Sequence, residues 1–136
     1  MPNSDKKAVS LVKGAIYNPN ENRHFMTISP ISQIVSVKSF GVTVASSNKA
    51  LCLKEVGYSI YPPVTYFPQD DVDWKLLETS RKTTSCPLKG NTKYFHLNIQ
   101  DKTLLNVAWV YEEVIKEAKS IQGFVAFELR RNIHIS

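Results

Sequence analysis

The chain has 136 residues, room for one domain and too few for two. Hydrophobic residues make up 43% and charged residues 21%, a balance that excludes a disordered chain and supplies one core. Lys and Arg outnumber Asp and Glu by 17 to 12, a net charge of +5, and no apolar run approaches the roughly 20 residues that would span a bilayer.

The N-terminal arm, residues 1–21, begins polar and lysine-bearing, with one short apolar group, Ala8 to Val12. It lacks a signal peptide's apolar segment, so a cytoplasmic protein with no membrane partner is the expectation. Asn18-Pro19-Asn20-Glu21-Asn22 is a turn cluster, because Asn and Pro each favour irregular backbone. His24 follows it with no second His or Cys at metal-ligand spacing, and residues 22–136 read as a single domain. Ile34–Val37 and Val42–Ala45 are β-branched runs separated by Lys38-Ser39-Phe40-Gly41, the pattern of a hairpin with a glycine turn. Val35, Val37, Val42 and Val44 would share its apolar face.

Ala50 to Val56 reads as a further strand, in which Cys52 is a small buried hydrophobe. A chain with its own core needs no staple, so both Cys52 and Cys86 read as free thiols. The three prolines of Pro62-Pro63-Val64-Thr65-Tyr66-Phe67-Pro68 forbid a helix and favour an extended edge segment. Asp70 or Asp71 would then cap a short helix ending near Ser80.

Thr83 to Phe95 brings a thiol, a proline turn, a lysine, a glycine and a tyrosine together, and a site is expected there. No acidic residue falls between Glu78 and Asp101, while Arg81, Lys82, Lys89 and Lys93 do, so the stretch is a cationic rim or an anion site. Tyr94, His96 and Asn98 alternate with Phe95, Leu97 and Ile99, and Val107, Trp109 and Tyr111 with Ala108 and Val110, giving two more strands. Glu112 to Ser120 has helical spacing closed by Gly123, and a last strand runs from Phe124 to Leu129 and on toward Ile135. About seven strands and one or two short helices predict a mainly β, antiparallel single domain.

Ala45-x-Ser47, Tyr66-Phe67-Pro68-x-x-Asp71-Val72, Cys86-Pro87-x-Lys89-Gly90-x-x-x-Tyr94, Ala108-Trp109-x-Tyr111 and Ile121-x-Gly123-Phe124-Val125-Ala126-Phe127 occur in that order. Together they resemble the domain-of-unknown-function family 427 over residues 22 to 135. The resemblance implies a compact β-tent or small-barrel domain with a pocket near the Cys-Pro-x-Lys-Gly turn and the tryptophan strand. Carried over by position, the pocket residues are Tyr66, Asp71, Cys86, Lys89, Tyr94, Trp109 and Tyr111. The chain departs from the family pattern at Val114, where a proline is usual, and at Asn91-Thr92-Lys93, which adds a charge beside the site.

The family also carries a nucleotidyltransferase-like label. Asp71-Val72-Asp73 has the carboxylate spacing to hold Mg²⁺, but Pro62, Pro63 and Pro68 block the helix expected between a glycine turn and those acids. Cysteine-dependent catalysis would use Cys86 with Lys89 lowering its pKa and His96 as base. Zinc is disfavoured for want of paired C-x-x-C turns, and neither metal nor cofactor is expected. The preferred reading is a small-molecule-binding domain: Lys89 and Arg81 hold an anionic group, Tyr94, Trp109 and Tyr111 stack on a flat or apolar part, and Gly90 admits close backbone approach. Single-stranded nucleic acid is the lesser alternative, resting on basic and aromatic residues interleaved from Arg81 to Phe95. A homodimer through the hairpin edge or the last strand is compatible with either.

Overall fold

In a computed structural model, residues 14–136 are described, and the Ala8 to Val12 group lies outside them. The described residues open with β1 (Ile16–Asn18) and β2 (Glu21–Pro30), joined across the expected turn. There the Asn18 side-chain oxygen accepts the Asn20 backbone N–H at 2.9 Å, so the asparagine stabilises the bend through its own side chain. The second hairpin, β3 (Val35–Ser39) and β4 (Val42–Ser47), also falls where the valines place it. Phe40 and Gly41 both have positive φ, 49° and 76°, as a two-residue turn matched to strand twist requires. After β5 (Leu51–Val56), the prolines bracket β6 (Val64–Phe67) without interrupting it. Four residues with every N–H intact can take a central place, so β6 lies between two strands and is not the edge segment expected.

The expected helix to Ser80 is instead two 3₁₀ turns, Gln69–Asp71 and Trp74–Leu76, followed by β7 (Leu77–Cys86). Asp73 caps the second turn by accepting the Lys75 N–H at 3.3 Å, after which the β-branched Thr79, Thr83 and Thr84 favour extended backbone. Next come β8 (Gly90–Ile99) and β9 (Lys102–Val114). The helix expected from Glu112 is therefore shortened: Glu113 and Val114 pair with Asn91 and Gly90, and only Lys116–Ile121 winds into a 3₁₀ turn, burying Ala118 and Ile121. The expected last strand divides into β10 (Val125–Phe127) and β11 (His134–Ile135), which join different sheets.

The fold is mainly β and antiparallel: eight strands run β1-β2-β5-β6-β10-β9-β8-β7, with a second sheet β11-β3-β4. Successive side chains point to opposite faces of a strand, so β6, β9 and β10 each serve two cores. On one face Phe67, Val110 and Val125 pack with Val37 and Val44 of the small sheet. On the other, Met26, Leu53, Tyr66, Tyr111 and Ala126 pack beneath Leu88 and the Ala118–Ile121 turn. No helix among the described residues is long and apolar enough to cross a membrane.

Candidate functional site

The second face carries the polar chemistry. In the β7–β8 turn the Lys89 N–H donates to the Cys86 carbonyl at 3.3 Å, with Pro87 in the position whose fixed φ suits such a turn. Leu88 is fully buried and anchors it. Gly90 has φ +129°, and a Cβ there would lie 2.0 Å from the Glu113 carbonyl oxygen. Only glycine fits, and the close approach it admits is that of β9 backbone, where a ligand was expected.

This turn drives Lys89 inward until it is 8% exposed. Its Nζ donates to Glu55 Oε1 at 2.5 Å and lies 5.6 Å from the Tyr111 ring centroid. Glu55 Oε2 accepts from His24 Nε2 at 2.7 Å. The donor directions are fixed from the far end: with its oxygen held by Asn20, Asn18 turns its NH₂ toward His24 Nδ1, 3.0 Å away. That nitrogen must accept, which leaves His24 as the Nε2–H tautomer.

Burial pushes the Glu55 carboxyl up, but hydrogen bonds from Lys89 and His24 outweigh it and hold the group below the usual carboxylate range. Burial pushes Lys89 down, and the neighbouring Tyr111 and Glu55 more than offset it, so the ammonium is held above the ordinary lysine range. The Tyr66 phenol, 1% exposed, is pushed up by burial and by Tyr111.

Tyr66, Ala126, Trp109 and Tyr94 form one cross-strand row on the same face. Trp109 Nε1 donates to the Tyr66 hydroxyl at 3.3 Å, and the Tyr94 and Trp109 ring centroids are 6.4 Å apart. The fold thus gathers Tyr66, Cys86, Lys89, Tyr94, Trp109 and Tyr111. It does not bring Arg81 or Asp71 to them. Arg81 is exposed on β7, while Asp71 accepts the Ser47 hydroxyl at 2.6 Å, a local tie between β4 and the first 3₁₀ turn. Nor does His96 serve Cys86. The cysteine pairs with Gly90 and His96 lies six residues further along β8, about 20 Å at the rise of a strand, with its Nδ1 accepting the Asn106 N–H.

Sequence reasoning missed Glu55 and His24. A signal for Glu55 existed: Leu51, Leu53 and Glu55 share a strand face, and a carboxylate on an apolar face calls for a cation.

A cleft opens beside this network. Strand β6 pairs with β10 only at Phe67↔Val125 and Tyr66↔Ala126, and beyond Val64 the residues Pro63 and Pro62 carry no N–H with which to extend a ladder. The separating strands enclose a volume of about 390 Å³. Tyr61, Pro62, Pro63 and Val64 form one wall, Phe127 and Leu129 another, and Val37 and Ile135 close the side. Glu55 and Trp109 also line it. The Tyr61 and His24 rings both crowd Gly57, where an added Cβ would come within 3.3 and 3.4 Å of them, so the cleft wall adjoins the network. A different groove, of about 710 Å³ along β7, β8 and β9, sets Lys93 against Glu112 and Glu113 and contains none of the aromatic row.

A protein-family model described as Domain of unknown function (DUF427) matches residues 27–134, a span that includes every motif from Ala45 to Phe127. No curated protein matches the chain.

Proposed function

The chain belongs to the DUF427 family, and on that premise we propose that it is a small-molecule-binding domain whose ligand occupies the cleft between β6 and β10. One observation carries the reading: a cleft of ligand size, mostly apolar in its walls, has a buried-network carboxylate, Glu55, and an indole, Trp109, in its lining. Trp109 and Tyr61 offer flat surface to a ring. Lys89 contributes indirectly, since its charge is matched by Glu55 at 2.5 Å, and it positions that carboxylate behind the cleft. The aromatic part of the expected ligand therefore has the stronger support.

The test is a thermal-shift panel of aromatic, heteroaromatic and phosphorylated compounds on the wild type and on Leu129→Trp. Leu129 is 48% exposed at the cleft wall, so a larger ring there fills the cleft without entering the core. A compound that raises the midpoint of the wild type and not of the variant supports the reading. Equal shifts in both proteins, or none in either, would refute it.

A further inference from the structure

Resting on the cleft reading above, we infer that the ligand is a ring-bearing nitrogen compound that donates hydrogen bonds, such as an aryl amidine or a protonated amino-heterocycle, and that it carries no anionic group. The charges around the cleft carry the argument. Among the described residues its two charged lining residues, Glu55 and Glu128, are both acidic, and no lysine or arginine lines it. Lys89 stands beyond the Glu55 carboxylate, 8% exposed and bonded to it. Arg130 reaches Glu128 only at 3.9 Å and lies outside the lining.

Glu55 retains capacity for a ligand. An ionised carboxylate offers about four acceptor sites, and Lys89 and His24 take one on each oxygen. Lys89 and His24 are both bonded to Glu55 and neither is among the residues that line the cleft. A carboxylate or phosphate entering the cleft meets acceptors on apolar walls, while an N–H donor meets an open lone pair and a ring surface. A charge-assisted hydrogen bond in a half-enclosed site separates those cases by roughly tenfold or more in affinity.

Matched probes with one ring and opposite charge test this by titration calorimetry: benzamidine against benzoate, and 2-aminobenzimidazole against benzimidazole-2-carboxylate. On the wild-type protein each nitrogen donor is expected to bind about tenfold or more tightly than its carboxylate partner, and Leu129→Trp is expected to abolish that binding. Glu55→Gln with Lys89→Gln removes the carboxylate without stranding the lysine and is expected to bring each pair within about threefold. The wild-type comparison stands even where that double variant fails to fold. Carboxylates binding as well as the donors, and still lost on Leu129→Trp, would overturn the inference and leave the cleft reading intact. Binding by no probe, or binding indifferent to Leu129→Trp, would overturn both.

Discussion

Replacing Lys89 by Met leaves Glu55 ionised, 16% exposed in its side chain, with His24 as its one remaining partner. Removing one member of a buried ion pair costs about 3–5 kcal/mol, because the survivor's charge is uncompensated. Glu55→Gln is expected to cost a similar amount by isolating the ammonium of Lys89, 10% exposed in its side chain. The double variant strands no charge, so its cost should fall below the sum of the two by about 2–3 kcal/mol. Against the ~5–15 kcal/mol of an ordinary domain, each single change is a large fraction, roughly 10–17 °C in midpoint. Urea unfolding of the four proteins at neutral pH measures the cycle. The pH dependence follows from the two shifts. Glu55 is held below the usual carboxylate range, so the pair's stabilisation is present above that range and lost as pH falls through the folded value. Lys89 is held above the ordinary lysine range, so its contribution is complete below about 10.4 and is lost as pH rises through the folded value. The double variant should lack both limbs. Single costs under about 1 kcal/mol, the range of exposed pairs, with additive effects, would refute the reasoning by making the pair no better than a surface contact.

Gly90→Ala forces a Cβ to within 2.0 Å of the Glu113 carbonyl at φ +129°, and should cost about 3 kcal/mol or more in thermal or urea unfolding. Tyr66→Phe removes the hydroxyl that accepts from Trp109 Nε1; a loss of about 1–2 kcal/mol is expected, read from the same urea midpoints. Ser47→Ala removes a donor to Asp71 at 2.6 Å and an acceptor for the Lys49 N–H at 2.8 Å, and should cost about 2 kcal/mol. Asp71→Asn should weaken stability while leaving the affinity of any cleft ligand unchanged by calorimetry, since the carboxylate serves the β4 contact.

Much of the sheet was legible because its strands alternate or carry turn chemistry. Tyr94 to Ile99 and Asn106 to Tyr111 declare two faces, and Phe40-Gly41 sits where the valine runs place a turn. Strand β7 was hidden because it lies at the end of the sheet with most of its residues exposed, so Glu78-Thr79-Ser80-Arg81-Lys82 shows no apolar period. The start of the Glu112 helix was misread because Val114, Ile115, Ala118 and Ile121 match a helical period that only the last two fulfil inside the 3₁₀ turn. Within the site, the aromatic row and Lys89 could be found from motif and pattern. Their electrostatic partner could not be fixed that way. Glu55 lies 34 residues from Lys89, and only the order β2-β5-β6 with a turn folded beneath it brings the two together.

The prolines join these threads. Pro62 and Pro63 first suggested a segment unfit for the sheet interior, yet they only precede a central strand of four residues, whose ladder with β10 covers Phe67 and Tyr66. Glu55 is bonded to Lys89 and His24 and also lines the cleft beside this short ladder. The arrangement also explains why a basic chain presents an acidic cleft. Arg81 and Lys82 are exposed on β7 and Lys93 is half-buried on β8, while Lys89, the buried lysine among the described residues, is paired with Glu55. Net charge thus governs how the surface meets other molecules, while the recognition proposed for the cleft would rest on Glu55 and the aromatic surface beside it.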